Sequence, residues 1–140
     1  MRPTEVFVDT ACVVALVNGR DELHEIAAGL FEDARSQARL VTTRAVCFEI
    51  GNFFGEPEYR RRAAELLQKI EDAPDIDVLP VSDELYQRSL RLFGNRRDKK
   101  WSLTDCSSFV VMEERGITEA LTSDHHFRQA GFVPLMRSDG

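Results

Sequence analysis

Four acidic residues could do chemistry together, because each is set into apolar surroundings. They are Asp9, Glu49, Asp105 and Asp124. Asp9 directly follows the apolar run 6–8, and Glu49 is the only charged residue between Ala45 and Phe54. A carboxylate removed from water costs several kcal/mol of free energy unless a cation or hydrogen-bond donors meet it. Four such acids, three of them without Lys or Arg beside them, predict a shared divalent metal ion.

The chemistry that this set of ligands favours is phosphodiester hydrolysis. Mg²⁺ and Mn²⁺ prefer carboxylate and water oxygens, usually with one or two direct protein acids for each ion. Further acids can bind a second ion or hold ordered water, and two such ions would stand roughly 3.5–4 Å apart. The sequence leaves open whether one or two ions take part.

Each acid also has a structural interpretation when it is considered alone. Asp105 could be a helix-start acid stabilised by the helix dipole, Asp124 a turn residue, and Asp9 a cap of the following helix. Glu49 resists such an explanation best, because an interior helical Glu has no capping role. The joint placement of the four acids, rather than any one of them, favours a functional site.

The composition is that of one soluble globular domain over residues 1–140. The 140 residues are 43% hydrophobic, with a net charge of −6, and no apolar run approaches the roughly 20 residues that span a bilayer. The first five residues lack the apolar segment of a secretory signal, so we expect a cytoplasmic protein without membrane contact. Three cysteines without a CxxC pair indicate buried core thiols rather than disulfides.

Short apolar runs alternate with segments of helical periodicity along the chain. The predicted strands cover residues 6–8, 40–42, 76–81, 120–122 and a weak 132–136. The predicted helices cover residues 10–16, 21–37, 43–55, 59–70, 83–93 and 102–116, with a short one before the last strand. Four of them are expected to begin at a cap, provided by Thr10, Thr43, Ser82 and a Ser102–Asp105 capping box. This alternation predicts an α/β fold with a mainly parallel sheet.

The predicted sheet brings the acids to one rim. Sites in parallel sheets form beyond the carboxyl ends of the strands, near the point where strand order reverses. Asp9 and Asp124 fall at two such ends, Glu49 lies in the helix after the second strand, and Asp105 lies in the first turn of a later helix. Four distant segments can therefore converge there.

The ordered set of motifs resembles a PIN-domain ribonuclease, most closely the VapC-type toxins of toxin–antitoxin systems. The resemblance rests on VFVDT, the helical Glu49, SLTD around Asp105, and LTSDHHF followed by AGF. It covers nearly the whole chain. One departure is Ala11, where the family often has a second hydroxyl residue after the first Asp-Thr or Asp-Ser.

The resemblance implies a three-layer α/β/α sandwich with a roughly five-stranded sheet. It also implies a Mg²⁺- or Mn²⁺-dependent endoribonuclease, commonly a homodimer, that is restrained by a cognate antitoxin. The acids that match the family's metal- and water-binding residues are Asp9, Glu49, Asp105 and Asp124. Thr10 and Ser107 could supply hydroxyl groups that support these ligands.

A basic loop precedes the Asp105 helix and contains Arg96, Arg97, Lys99 and Lys100. These side chains could contact RNA phosphates while Trp101 stacks on a base. Alternatively, the loop is solvated and Trp101 anchors it to the core. The phenylalanines at positions 48, 53 and 54 are expected in the core or in a dimer interface rather than in a nucleobase platform. His126, beside Asp124, could contact substrate, but a helix-start histidine is the favoured interpretation.

Other functions fit the sequence less well. A phospho-acceptor domain needs an acceptor Asp after the third strand, where this chain has Val81 and Ser82. An aspartyl phosphatase needs a second Asp two residues after Asp9, where this chain has Ala11. The histidines lack zinc-ligand spacing such as HExxH. The remaining alternative is a non-catalytic protein that binds RNA or a regulator.

Overall fold

The structure, a computed structural model, describes residues 4–136 of the chain. Its strands are β1 (Glu5–Val8), β2 (Arg39–Thr43), β3 (Ile76–Leu79), β4 (Glu119–Leu121) and β5 (Val133–Pro134). Its helices are α1 (Thr10–Val17), α2 (His24–Gln37), α3 (Arg44–Phe53), α4 (Arg60–Asp72), α5 (Asp83–Asn95), α6 (Leu103–Arg115) and α7 (His125–Gln129). The order of elements is the one predicted from the sequence.

The strands form one sheet in the order β3-β2-β1-β4-β5, and every neighbouring pair is parallel. The central strand β1 pairs with β2 through Val6 and Leu40, and with β4 through Phe7 and Ala120. All four of these residues are buried, because a sheet covered on both faces requires continuous apolar strands rather than alternating ones. The predicted α/β class with a five-stranded parallel sheet is confirmed.

The strand order places the helices on two faces. Crossovers between parallel strands are almost always right-handed. The connections from β1 to β2 and from β2 to β3 move in one direction, so α1–α4 cover one face. The chain then returns past β1 to β4 and β5, which places α5–α7 on the other. The result is the predicted three-layer sandwich.

Local signals begin most helices where the sequence predicts. The hydroxyls of Thr43 and Ser82 accept the backbone amides of Val46 and Leu85, and the Ser102–Asp105 capping box is complete. The prediction that Thr10 caps α1 was wrong. Asp9 occupies the cap position without a side-chain capping bond, and the Thr10 hydroxyl is engaged elsewhere.

The edges of the sheet are shorter than predicted. The edge strand β3 ends at Leu79, so Pro80 lies just beyond it, as its missing amide donor requires. Strand β5 contains only Val133 and Pro134. The three cysteines are buried and free, which agrees with their predicted core role. Among residues 4–136, no helix is both long and apolar enough to cross a membrane.

Candidate metal-dependent active site

The candidate site lies where the strand order reverses. Strand β1 is flanked by β2, reached through one helical layer, and by β4, reached through the other, and such a switch point leaves a crevice at the strand ends. Asp9 follows β1, and its amide donates to the carbonyl of Leu121, the last residue of β4, at 3.2 Å. Asp124 is the N-cap of α7 a few residues later. Two of the four acids are therefore placed by the sheet itself.

Asp9 is the most deeply buried of the four acids, with 5% of its surface exposed. The pKa of its carboxyl is raised from 3.8 to about 7, mainly by burial and also by the charges of Glu49 and Asp105, while the hydroxyl of Thr122 and the amide of Thr10 partly offset the rise. Thr122 donates to Asp9 Oδ2 at 2.8 Å. A buried acid that resists ionisation in this way is one that a nearby cation would stabilise.

Glu49 is held by a hydroxyl from the other side of the crevice. The Thr10 side chain donates to Glu49 Oε1 at 2.5 Å, and it can do so because α1 and α3 pack together. This contact agrees with the expectation that Thr10 supports a candidate metal ligand. Glu49 is partly exposed, so its other carboxylate oxygen can reach a ligand in the crevice.

His126 connects the two remaining acids. Its Nδ1 lies 3.0 Å from Asp105 Oδ2 and 3.4 Å from Asp124 Oδ1. Asp105 also accepts the Ser102 amide at 3.1 Å, and Asp124 accepts the His126 amide at 2.9 Å. Sequence reasoning gave His126 a helix-start role or a contact with substrate, and the structure shows that its ring also contacts two of the candidate ligands.

Thr122 links Asp9 to Asp124. Its hydroxyl donates to Asp9, and the same oxygen accepts the Asp124 amide at 3.0 Å. The contacts of Thr122 and His126 thus join three of the four acids, while Glu49 is held separately by Thr10. Sequence reasoning did not single out Thr122. The available signal was its position at the end of β4, opposite Asp9, where a fully buried hydroxyl requires partners.

The donor set fits a hard divalent cation. In the described part of the chain, the ion-pair partners of the four acids are histidines, and no Lys or Arg neutralises them. The carboxylates and the neighbouring hydroxyls supply oxygen ligands of the type that Mg²⁺ and Mn²⁺ prefer. Asp124 also belongs to a cluster with His125 and His126 whose ligand atoms lie within 4.8 Å of one another. That cluster offers two imidazole nitrogens and one carboxylate.

The crevice is a cavity of about 340 Å³ lined by both polar and apolar residues. Its polar lining residues are Asp9, Thr10, Asp21, Glu49, Ser123 and Asp124, and its apolar ones are Ala11, Val14, Leu23 and Phe53. Asp21 is a further acid that sequence reasoning did not identify. It precedes α2, and its carboxylate also accepts the Leu23 amide at 2.8 Å.

Within residues 4–136, the other predicted site residues make no hydrogen bond or ion pair with the side chains of the four acids. Ser107 donates to the carbonyl of Thr104 at 2.7 Å, within its own helix. In the basic loop, Arg96 is paired with Asp98 at 3.0 Å. The RNA-contacting roles of Arg96, Arg97, Lys99 and Lys100 stay predictions.

Trp101 anchors the basic loop rather than stacking on a base. It is 6% exposed, and its Nε1 donates to Gln129 at 3.0 Å. Its ring packs edge-on against Phe109 at 5.0 Å, and the Arg96 guanidinium lies over it at 4.8 Å. The structure therefore decides between the two alternatives that the sequence left open.

Comparison with known families agrees with this fold and site. The model of the PIN domain matches residues 6–133. The chain belongs to the PIN-domain family. The predicted family is thereby confirmed, and the matched segment includes all four acids and every helix and strand between Val6 and Val133.

Individual PIN-domain proteins resemble the chain over most of its length. The 23S rRNA-specific endonuclease VapC20 of Mycobacterium tuberculosis is 29% identical over 130 residues, which cover 93% of this chain and 97% of that protein. The crystal structure of M. tuberculosis VapC20, described as a Sarcin-Ricin loop cleaving toxin, superposes with a TM-score of 0.83 at 27% identity, covering 91% of this chain and 96% of that one.

More distant structures share the fold alone. VapBC2 from Rickettsia felis, bound to a DNA fragment from its promoter, has a TM-score of 0.67 at 11% identity and covers 92% of this chain and 96% of that one. FitAcB from Neisseria gonorrhoeae has a TM-score of 0.64 at 13% identity and covers 92% and 94%.

Proposed function

We propose that this PIN-domain protein is a divalent-metal-dependent endoribonuclease and the toxin of a type II toxin–antitoxin pair. The observation that carries the proposal is the set of hydrogen bonds that positions the four acids at the sheet switch point. The resemblance to VapC20 supports RNA as the substrate class, and ribosomal RNA is the first RNA to test.

The four carboxylates would hold Mg²⁺ or Mn²⁺ at the ends of β1 and β4. A cation bound there orients the phosphate, promotes ionisation of water and neutralises charge on the leaving oxygen. The chain itself keeps the ligands in position: Thr122 holds Asp9, Thr10 holds Glu49, and His126 spans Asp105 and Asp124. Water adds to phosphorus and the 3′-oxygen leaves with a proton, giving a 5′-phosphate and a 3′-hydroxyl.

The proposed partners are a cognate antitoxin and a second copy of the chain. Resemblance to VapC-type toxins implies both, and the fold that the chain shares with VapBC2 agrees with the first. A surface for the second copy is the exposed apolar stripe of Tyr86, Leu90 and Phe93 along α5. Their spacing places these three side chains on one helix face. The proposed location is the cytoplasm.

The decisive experiment is cleavage of purified ribosomes and total RNA with Mg²⁺, Mn²⁺ or EDTA, followed by mapping of the RNA ends. Wild type is expected to cleave only with a divalent cation, and Asp9→Asn is expected to lose at least about a hundredfold in rate, since electrostatic groups at reacting centres contribute on that scale. The control is Glu58→Gln, which makes the same change at an exposed acid. Full activity of Asp9→Asn would refute the assignment. RNA binding without cleavage, unaffected by EDTA, would instead support the non-catalytic alternative.

A further inference from the structure

Phe53 is an exposed aromatic residue at the edge of the acid crevice. It ends α3, one turn after Glu49, so the two side chains lie on the same face of the helix. The ring is 60% exposed, although a large apolar side chain is usually buried. It also lines the same cavity as Asp9, Glu49 and Asp124. The expectation of a core position for Phe53 was therefore wrong, while that of a dimer interface stays a prediction.

The ring of Phe53 is supported from behind. It packs edge-to-face with Phe54, at 5.0 Å between centroids and an interplanar angle of 79°. Phe54 in turn packs edge-to-face with Tyr59 at 6.4 Å. A ring fixed by aromatic neighbours loses little freedom when a ligand stacks on it, which favours binding.

The crevice offers further apolar surface beside this ring. Val14 of α1 and Leu23, just before α2, line the cavity together with Phe53. Apart from Ala11, the remaining lining residues are acidic or hydroxylic, so one cavity combines candidate cation ligands with apolar surface. Its volume of about 340 Å³ falls within the range of roughly 300–1,000 Å³ found for small-ligand clefts.

Charge explains why RNA would need such a surface. The chain carries a net charge of −6, and the cavity adds Asp21 to three of the metal-binding acids. Phosphate contacts alone are unfavourable beside these carboxylates, whereas stacking of a base on an aromatic ring needs no positive charge. An unpaired base next to a phosphodiester matches both sides of the crevice.

We propose that Phe53, with Val14 and Leu23, forms a binding subsite for an unpaired nucleobase adjacent to the scissile phosphate. The proposal rests on the proposed hydrolysis of RNA and extends it, because it predicts that the substrate presents a single-stranded or flipped-out base at the cleavage site. Phe53 is then a residue that positions the substrate by stacking. RNA recognition commonly uses such contacts with unpaired bases.

The same helix provides a matched control. Phe48 is 74% exposed, but it lies five residues before Phe53 and so points about 140° away around the helix axis. It lines a different cavity, with Arg44, Pro80 and Val81. Phe48→Ala therefore removes an equally accessible ring without changing the acid crevice.

The test is direct binding of short single-stranded RNA that carries 2-aminopurine, measured by fluorescence in Ca²⁺ and checked for cleavage on gels. Phe53→Ala and Phe53→Leu are both expected to weaken binding about tenfold, since Leu keeps apolar volume but has no π-face for stacking. Phe53→Tyr keeps an aromatic face and is expected to bind the RNA with wild-type affinity. Phe48→Ala is expected to bind within about twofold of wild type. Circular dichroism confirms that each variant is folded.

An abasic series identifies the partner of the ring. Each position of the RNA is made abasic in turn. Removal of the base at one position is expected to weaken wild-type binding as much as Phe53→Ala does, and to cause no further loss of binding by the Phe53→Ala variant. Fully additive losses, equal binding by Phe53→Ala and wild type, or no measurable binding by wild type would overturn the subsite. Unchanged RNA binding with an altered mass in light scattering would assign Phe53 to a protein interface instead.

Binding and cleavage separate this proposal from the proposed function. Suppose that Asp9→Asn still cleaves RNA, while Phe53→Ala and removal of one base weaken binding equally and without adding to each other. The base subsite then stands, and the assigned nuclease site fails. If cleavage depends on Asp9 and the cation while Phe53→Ala binds normally, the nuclease stands and the subsite fails.

Discussion

Replacing Asp9 by Asn is expected to make the metal-free protein more stable, although it abolishes the proposed activity. Burial and the charges of Glu49 and Asp105 raise the pKa of Asp9 from 3.8 to about 7 in the folded protein. The folded state therefore binds this proton more strongly than the unfolded state does. The stability contributed by the protonated acid is fully present below about pH 4 and is lost as pH rises towards about 7.

The magnitude follows from the same two pKa values. The difference between 3.8 and about 7 corresponds to an upper limit of about 4 kcal/mol in the free energy of unfolding, at 1.36 kcal/mol for each pH unit. Asn carries no charge and can still accept the Thr122 hydroxyl, so it removes the penalty and keeps that contact. The gain is therefore expected to approach this limit at pH 8 and to vanish near pH 4.

The assay is urea unfolding in EDTA across this pH range, comparing wild type with Asp9→Asn and with Glu58→Gln. The exposed Glu58 control tests whether loss of any negative charge has the same effect. Saturating Mg²⁺ is expected to reduce or reverse the difference, because binding stabilises wild type by an amount set by concentration and affinity. An Asp9→Asn variant that is no more stable than wild type at pH 8 in EDTA would show that the buried carboxylate is not under electrostatic strain.

Three further results are expected from the same network and surface. Mg²⁺ affinity, measured by calorimetry, should rise about tenfold for each pH unit up to about 7 and level off above that pH, because binding of the ion displaces the Asp9 proton. An affinity that does not change between about pH 5 and 7 would contradict this expectation. Thr122→Val removes a hydrogen bond that lowers the Asp9 pKa. Because a hydrogen bond to a charged group contributes about 1.5–3 kcal/mol, the pH at which Mg²⁺ affinity levels off should rise by about one to two units. Thr118→Val serves as the control. Leu90→Glu introduces charge into the exposed stripe of α5 and should shift the mass in light scattering from dimer to monomer, a change that Glu58→Gln should not produce.

The sequence was sufficient to predict the sheet and to propose the four acids as a candidate site. Asp9 and Asp124 could be found because a carboxylate at the end of a short apolar run is unusual, and parallel sheets bring strand ends together. Asp105 could be placed because its capping box has a local signature, which the structure contains. These features depend on neighbouring residues, so a single sequence carries them.

Contacts between distant segments could not be predicted in this way. The Thr122 bond to Asp9 joins residues 113 positions apart, and the His126 contact with Asp105 joins residues 21 apart. The direction of Phe53 depends on how α3 is rotated against the sheet, which its apolar composition does not specify. Trp101 is similar, since only the position of Gln129 shows that the indole nitrogen has a partner in the core.

The topology explains why an acid-rich crevice can exist in an otherwise apolar domain. Helix α3 belongs to one layer and α6 to the other, and they contact each other at the crevice end of the sheet. Glu49 and Asp105 therefore approach Asp9 from opposite faces, while Val6, Phe7 and Val8 remain fully packed below. The repulsion among the acids is confined to the strand ends and is opposed there by hydroxyl and imidazole contacts. Because the metal-free site retains unfavourable charge burial, part of the free energy of cation binding comes from relieving it, which links affinity for the ion to the stability of the fold.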